Sequence, residues 1–310
     1  MTPFRALVFA GGAAALVIPL LAAPTAAQAP SPTEKLNAYV GCINRLSERS
    51  HDSRRRYFSW VRDKNGPTGK ERIIYGLYTI YDTSDCKNNV DKANALEPRD
   101  AALEAAAQAY AEAVGKLEPL LKEADDYYSQ ENYKDDRMAK GKALHPLLVA
   151  AWDAFANADQ ALRNGVEAVN DKRAAERLAE IEKSDGRNAR YHVEALMIHA
   201  KRVLRAQNTA QPNIAEITQA LNEYESLVKT AEPFSGSGDG KIGSMFIGSA
   251  KGFLTSSKQL MRRVRDKVPY SQGDRMMINA GGGEMIEGTP QRLMRDYNGL
   301  VSAYNIGASI

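Results

Sequence analysis

Apolar side chains recur every three or four residues along most of the chain, from about residue 33 to residue 304. This spacing places them on one face of an α-helix, and the strict alternation that marks a half-buried strand is not seen. The clearest run has four-three spacing, which is typical of a coiled-coil seam. Its members are Leu103, Ala107, Tyr110, Val114, Leu117, Leu121, Ala124 and Tyr128. The pattern predicts an all-α fold, an elongated bundle of long antiparallel helices with coiled-coil-like seams.

Breaks in this pattern give the ends of the predicted helices. The first helix is predicted from Thr33, which suits an N-cap, to about Val61. The glycines and the proline of the loop 63–70 force a reversal, and a second helical arm is predicted from Glu71. Further helices are predicted at about 98–128, 135–183, 187–207, 213–232, 242–267 and 289–304. Asn213 and Thr289 are predicted to be the N-caps of the helices that they begin.

The stretch 73–81 leaves two interpretations open. It is rich in β-branched and aromatic residues, namely Ile73, Ile74, Tyr75, Tyr78, Ile80 and Tyr81. That composition favours a strand on propensity alone. Because no partner strand is evident in the sequence, the prediction is a helix, with a strand as the alternative.

The chain has two cysteines, Cys42 and Cys86. The midpoint between them is residue 64, inside the predicted reversal loop, and two helical arms of equal rise would bring the sulfur atoms to the same height. A disulfide needs Cα atoms within about 7 Å, which an antiparallel hairpin turning at this loop would provide. The sequence therefore predicts a Cys42–Cys86 disulfide, with two buried free thiols as the alternative.

The first 29 residues have the layout of a cleavable secretory signal peptide. Arg5 is followed by the apolar run from Ala6 to Ala23 and then by small residues, and cleavage is predicted after Ala27 or Ala29. No cysteine lies in this region to accept a lipid, so the protein is predicted not to be a lipoprotein. No later apolar run suits a stable membrane span. The predicted location is the periplasm.

The chain is predicted to have three parts. Residues 1–29 are the signal peptide, and residues 30–232 form a helical bundle with the disulfide hairpin at its N-terminal end. Residues 233–310 comprise a Gly-rich hinge at 233–241 and C-terminal helices that pack on the bundle. The segment 269–288 is predicted to be an irregular loop too long to be only a connector.

The formal charge is nearly balanced, at +3, which gives no general attraction to nucleic acid. Two basic clusters are candidates for binding anionic envelope polymers or lipid head groups. Their members are Arg54, Arg55 and Arg56 in the first helix and Arg262, Arg263 and Arg265 in a later one. Because acidic residues are interspersed through the chain, a solvated helix face is the alternative for each cluster.

No constellation of residues specifies a metal, a cofactor or a reaction. His192 and His199 are about 10 Å apart along a helix, whereas a chelating pair is three or four residues apart. Glu48 and His51 form a single Glu-x-x-His, and a di-iron bundle site needs two copies. The Gly-rich run 236–241 lacks the first glycine of a phosphate loop. We therefore predict no metal, no cofactor and no catalytic residue.

Three stretches of the chain carry a family resemblance. They are Lys35 to Arg56 (KLNAYVGCINRLSERSHDSRRR), Gly66 to Cys86 (GPTGKERIIYGLYTIYDTSDC) and Tyr191 to Arg205. Together they resemble the YiiG-like family of bacterial envelope proteins, a domain-of-unknown-function family, from about residue 35 to at least residue 230. The resemblance implies export, helical structure and no established activity, so no catalytic residue can be carried over. Many relatives look like lipoproteins, and this chain departs from them by lacking the lipid-accepting cysteine.

Three functional hypotheses follow from the sequence. The favoured one is a non-enzymatic periplasmic binding or scaffold protein that uses the side of a helical bundle to contact an envelope protein or an anionic envelope polymer. The second is a helical protein that binds a small ligand or a metal in a pocket near the loop 269–288. The third is a hydrolase of an envelope polymer, suggested only by the compartment and by the abundance of Asp and Glu.

Overall fold

The structure is a computed structural model that describes residues 32–209 and 211–307. In these two ranges the regular secondary structure is helical, apart from one isolated bridge between Ser235 and Ile242. The α-helices are α1 (Pro32–Trp60), α2 (Thr83–Asn94), α3 (Ala101–Ser129), α4 (Tyr133–Asp136), α5 (Ala139–Asp185), α6 (Ala189–Gln207), α7 (Ile214–Ala231), α8 (Ser244–Arg265), α9 (Gln272–Asn279) and α10 (Pro290–Gly307). The all-α class is therefore confirmed. The predicted signal peptide lies outside the described residues.

The chain divides into two compact units, an N-terminal unit (Met1–Leu162) and a C-terminal unit (Arg163–Ile310). The boundary predicted between residues 232 and 233 falls inside the C-terminal unit. The physical reason is that α8 and α10 share one hydrophobic core with α6 and α7. The most deeply buried members of this core include Leu196, Val203, Tyr224, Phe253 and Leu300.

The second helical arm, predicted from Glu71, is wrong over residues 71–82, which together with the loop before them form a segment at 61–82 without helix. Neither a helix nor a strand forms there, and α2 begins only at Thr83. Side chains of α1 instead hydrogen-bond to carbonyl groups of this segment. The bonds run from Trp60 Nε1 to Gly76 O (2.8 Å), from Ser53 Oγ to Tyr78 O (2.6 Å) and from Arg49 Nε to Thr79 O (3.3 Å). Because α1 satisfies these carbonyls, the segment packs on α1 without regular secondary structure of its own.

The predicted disulfide is present, and 5.3 Å separates the Cα atoms of Cys42 and Cys86. The two helices it joins run antiparallel, since Tyr39 in α1 donates to Asn94, farther along α2. The argument from two helical arms of equal rise is nevertheless wrong, because most of the return arm is not helical. An extended chain advances about 3.3 Å per residue against about 1.5 Å in a helix, so the stretch from Gly76, which meets Trp60, back to Cys86 takes 10 residues where α1 takes 18 from Cys42 to Trp60.

The C-terminal unit contains a bundle of α6, α7, α8 and α10. Asn213 caps α7 by accepting from the main-chain N–H groups of Ala215 and Glu216. Thr289 caps α10 through a hydrogen bond from the N–H of Arg292 to its hydroxyl oxygen (3.0 Å). Both caps were predicted, and both are confirmed.

The segment 269–288 is not the wholly irregular loop that was predicted, because α9 lies inside it. Ser271 and Asp274 form a capping box in which each side chain accepts from the main-chain N–H of the other. The guanidinium of Arg263 donates to one carbonyl near each end of the segment and so holds the two ends together.

The Gly-rich segment 233–241 has its ends joined by main-chain hydrogen bonds. The N–H of Gly236 donates to Ile242 O (3.0 Å), and the N–H of Ile242 donates to Phe234 O (2.9 Å). These bonds use main-chain N–H groups that a phosphate loop would have to offer to an anion. The geometry agrees with the sequence argument against a phosphate loop here.

The position of Gly141, in the first turn of α5, has no room for a side chain. A Cβ atom there would lie 2.6 Å from the sulfur of Met138 and 3.0 Å from the hydroxyl of Tyr128, and both residues are buried. We expect Gly141→Ala to lower the free energy of unfolding by about 1–3 kcal/mol through overpacking, as measured by urea denaturation.

The matched control is Gly41→Ala in α1, where an added Cβ has no atom within 4 Å. Because alanine has a higher helix propensity than glycine, this exposed substitution is expected to raise the free energy of unfolding by up to about 1 kcal/mol. A Gly141→Ala protein as stable as the parent would contradict the packing described around Met138.

Candidate anion-binding cleft

An open cleft of about 540 Å³ lies in the N-terminal unit, where α1 ends and the segment 61–82 begins. Its lining residues are Ser59, Trp60, Arg62, Asp63, Thr68, Lys70, Glu71, Arg72, Ile73 and Tyr75. The lining combines three cations, two carboxylates and three large apolar or aromatic side chains, so its chemistry depends on which charges are already paired.

Both carboxylates of the cleft are engaged by the main chain of the turn. Glu71 accepts from the N–H of Thr68 (2.5 Å), from its hydroxyl (2.8 Å) and from the N–H of Gly69 (2.8 Å). Partial burial would raise the pKa of Glu71, but these hydrogen bonds outweigh it and hold the pKa below its ordinary value. Asp63 accepts from the N–H of Asn65 (2.8 Å). Both carboxylates therefore bind main-chain N–H groups of the turn, and Glu71 has both of its oxygens occupied in this way.

The turn is fixed to the body of the unit by His145 of α5. The Nε2 atom of His145 lies 3.3 Å from Lys64 O, and its Nδ1 atom lies 3.0 Å from the hydroxyl of Tyr57. Gly66 packs directly on the imidazole with a φ of +107°, and a Cβ there would lie 2.9 Å from the ring. Only glycine meets both requirements, so this side of the cleft is rigidly placed.

The opposite wall of the cleft is held by side chains of α1. Arg56 donates to Tyr75 O (2.8 Å), and Trp60 donates to Gly76 O. The guanidinium of Arg56 also lies over the ring of Tyr78, 4.6 Å from its centroid, and 5.9 Å from that of Tyr75. Arg56 therefore positions the aromatic wall and is not itself free to bind an anion.

Arg62, Lys70 and Arg72 are the cations that remain available. All three side chains are exposed, and among the described residues none of their charged groups has an acidic partner or a hydrogen-bond acceptor. Like charges brought this close raise the local positive potential, which an anion would relieve. The cleft therefore has the electrostatic character of an anion site.

The arginines of the first predicted basic cluster already contact other groups of the protein. Arg54 forms an ion pair with Asp153 (2.8 Å), and Arg55 forms one with Asp52. Arg56 packs on the two tyrosines described above. The structure thus places the cluster beside the cleft, with each guanidinium already in contact with a protein partner.

The second predicted cluster lies at the C-terminal end of α8, beside a cleft of about 230 Å³. Arg263 donates to two carbonyl groups, and Arg265 pairs with Asp266 (2.8 Å). Arg262 lines the cleft with Val268 at the start of the segment 269–288. A pocket thus exists where the second hypothesis placed one, and its use by a small ligand stays a prediction.

A third cleft, of about 590 Å³, lies in the C-terminal unit and mixes both charges. Arg205 in its lining is paired with Asp171 (2.6 Å). Two further carboxylates, Glu216 and Glu223, stand beside the remaining arginine, Arg202. Because its acids outnumber its bases, this cleft is a poorer anion site than the one at the end of α1.

A family model described as a protein of unknown function (DUF3829) matches residues 31–306. The chain belongs to this family. A relative from Escherichia coli (strain K12), the uncharacterized protein YiiG, is 35% identical over 276 residues, which are 88% of this chain and 78% of that protein. No solved structure matches the chain. The resemblance to the YiiG-like family that the sequence motifs indicated is confirmed.

Sequence reasoning missed one buried polar network in this member of the DUF3829 family. Asp159 accepts from the hydroxyl of Ser47 (2.6 Å) and lies 3.3 Å from His51 Nε2, while Tyr110 OH lies 2.9 Å from Ser47 Oγ. The carboxylate stands between the serine and the histidine, so the imidazole is not placed to take a proton from the hydroxyl. The arrangement therefore lacks the serine–histidine contact on which nucleophilic catalysis depends.

The two histidines that the sequence analysis considered as a metal pair have different neighbours. His199 Nδ1 is 3.5 Å from Glu223, and His192 packs against Phe234. Burial lowers the pKa of both imidazoles. In residues 32–209 and 211–307 no group of three or more His, Cys, Asp or Glu side chains is placed to hold a metal ion. No helix in the same ranges is long and apolar enough to cross a bilayer.

Proposed function

We propose that this protein is a non-enzymatic periplasmic binding or scaffold protein, and that the cleft at the end of α1 recognises anionic groups of an envelope polymer or an envelope protein. The observation that carries the proposal is the set of three unpaired cations in a cleft whose own carboxylates are bound by the turn. The predicted elongated antiparallel bundle with coiled-coil-like seams belongs to the same proposal, as the frame that would present the cleft.

The state of the two carboxylates supports binding in preference to acid–base chemistry. A general acid or base needs a proton-transfer position open to the substrate. Glu71 uses both of its oxygens on the turn, and the hydrogen bonds that lower its pKa keep it ionised. An anion held by Arg62 and Arg72 would meet guanidinium groups, which stay protonated and bind carboxylates or phosphates through paired donors.

We expect the triple variant Arg62→Ala, Lys70→Ala, Arg72→Ala to bind polyanions about tenfold or more weakly than the parent, since three ionic contacts are lost. The probes are poly-L-glutamate and polygalacturonate, measured by isothermal titration calorimetry at low ionic strength. Added salt is expected to weaken the binding of both probes by the parent, and so to reduce the difference in affinity between the parent and the triple variant.

The control removes the same charge from exposed sites on α2 and α3 of the same unit. It is the triple variant Lys92→Ala, Lys116→Ala, Lys122→Ala, and all three of these side chains are exposed. Equal weakening in both triple variants would show that net charge alone attracts the probes. That result, or no binding of either probe by the parent, would overturn the proposed site.

A further inference from the structure

The cleft wall formed by residues 72–75 has an unpaired main-chain edge. In the part of the chain that the structure describes, no main-chain to main-chain hydrogen bond involves any residue from 67 to 81. The N–H groups of residues 72–75 have no partner there, and neither do the carbonyls of residues 72–74. The bond from Arg56 to Tyr75 O is the one that holds this edge.

The edge is exposed and free of turns. Residues 73–75 contain no turn and no bend, and they lie between a bend at Arg72 and the left-handed φ of +64° at Gly76. Ile73 is 51% exposed and Tyr75 is 49% exposed, and both line the cleft. Side chains two residues apart on an extended chain point to the same side, so these two form one small apolar face.

We propose that the edge Arg72–Tyr75 pairs with an extended acidic segment of a partner protein by strand addition. This inference rests on the proposed function and names the ligand class of the same cleft. Free N–H and C=O groups on an exposed edge are a template for a second chain. Because Tyr75 O faces α1, the open edge on an extended chain is that of Arg72 and Ile74, and the partner's main chain pairs with their N–H and C=O groups. Its apolar side chains pack on Ile73 and Tyr75, and its carboxylates meet Arg62 and Lys70.

A peptide matches this edge better than other anionic polymers do. Its N–H and C=O groups alternate at the same repeat of about 3.3 Å per residue as those of the edge. A polysaccharide or a lipid head group can satisfy the cations, but neither presents that alternating pattern of donors and acceptors. The distinction can be tested by removing peptide N–H groups while every charge is kept.

The test compares two synthetic peptides with alternating valine and glutamate, eight residues long and blocked at both ends. One is unmodified, and the other is N-methylated at every residue, which deletes the donors on both edges and keeps every charge. We expect the unmodified peptide to bind the full chain at least about tenfold more tightly in fluorescence anisotropy, since several hydrogen bonds are lost with methylation. Equal affinity of the two peptides would overturn strand addition.

Protein variants give an independent readout. Tyr75→Ala is expected to weaken binding of the unmodified peptide by a larger factor than binding of polygalacturonate, because only the peptide carries apolar side chains that pack on this ring. The matched control is Tyr81→Ala, which removes a tyrosine 64% exposed that lies outside the cleft lining and is expected to change neither. If polygalacturonate binds through the cleft cations but the peptide does not bind, the proposed anion site stands and the partner class is overturned. If anionic vesicles compete fully with the peptide while N-methylation has no effect, a lipid surface is the ligand instead.

Discussion

Replacing Lys35 by methionine is expected to lower the free energy of unfolding by about 3 kcal/mol or more. The side chain of Lys35 is 4% exposed and lies at the start of α1. Its ammonium donates to the carboxylate of Glu104 and, at 3.0 Å each, to the carbonyl oxygens of Leu96 and Pro98. Methionine has a similar length but no donor, so a buried carboxylate and two carbonyl groups lose a partner.

The same ion pair should make stability depend on pH. Hydrogen bonds from Arg99 and from Lys35 hold the pKa of Glu104 well below its ordinary value of about 4.5. A carboxylate with a lowered pKa stabilises the folded state above the unfolded-state value, and the contribution is lost as the pH falls below it. We expect the parent to lose stability on acidification below about pH 5, and Lys35→Met to lose less over the same range.

Urea denaturation at neutral and acidic pH measures both effects. The control is Lys92→Met, which changes an exposed lysine of α2 and is expected to shift stability by no more than about 0.5 kcal/mol. Combining Lys35→Met with Glu104→Gln should cost less than the sum of the two single changes, because each single change already breaks the same Lys35–Glu104 ion pair. A cost below about 1 kcal/mol for Lys35→Met alone would contradict a buried, fully bonded ammonium.

Replacing Cys42 and Cys86 together by alanine is expected to cost about 4 kcal/mol, the chain-entropy value for closing a loop of this length. The bond spans a sequence separation of 44, and both residues are buried. α2 is 12 residues long, which is marginal for an isolated helix in water. The covalent link to α1 therefore stabilises an element that cannot stand alone.

The free energy of unfolding is measured for the parent and for the double variant, each with and without a reductant. The comparison separates the effect of the disulfide bond from the effect of replacing the cysteine side chains. Reduction is expected to destabilise the parent by nearly as much as the double substitution does, and to leave the double variant unchanged. Thiol titration of the parent, unfolded without reductant, should find no reactive thiol. Two reactive thiols would contradict the disulfide.

Helix ends were predictable where the signal is local. Asn213 and Thr289 were identified as caps from their residue type and position, and hydrogen bonds confirm both. The capping box at Ser271 and Asp274 has an equally local signature, but the neighbouring glycines made the whole segment look irregular. The start of α3 was predicted too early, at about Pro98, whereas Asp100 caps the helix and its first residue is Ala101.

The segment 61–82 could not be predicted, because its structure depends on α1. Its β-branched and aromatic residues suggested either a helix or a strand. Both interpretations assume that the main chain satisfies its own polar groups. Here Trp60, Ser53 and Arg49 satisfy carbonyls of the segment from a distance of 16 to 30 residues along the chain. No local pattern contains that information.

The candidate cleft escaped the sequence analysis for a related reason. The consecutive arginines at 54–56 were predicted to form one basic cluster. Neighbouring side chains on a helix point about 100° apart, so these three arginines contact different partners. Arg62, Lys70 and Arg72 are scattered in sequence and meet only because the turn at Gly66 folds back on His145. The reversal was predicted, but the charges that it gathers were not.

The bonding of the segment 61–82 separates two properties that usually occur together. The carbonyl oxygens of Tyr75, Gly76, Tyr78 and Thr79 are bonded to α1, so this part of the chain is held in place, while the amide hydrogens of residues 72–75 have no acceptor among the described residues. Deuterium would replace such hydrogens quickly, because protection from exchange requires an acceptor for the hydrogen and not only a fixed backbone. Rapid labelling in this stretch would therefore report vacant donors on a stiff chain and would be mistaken for local unfolding.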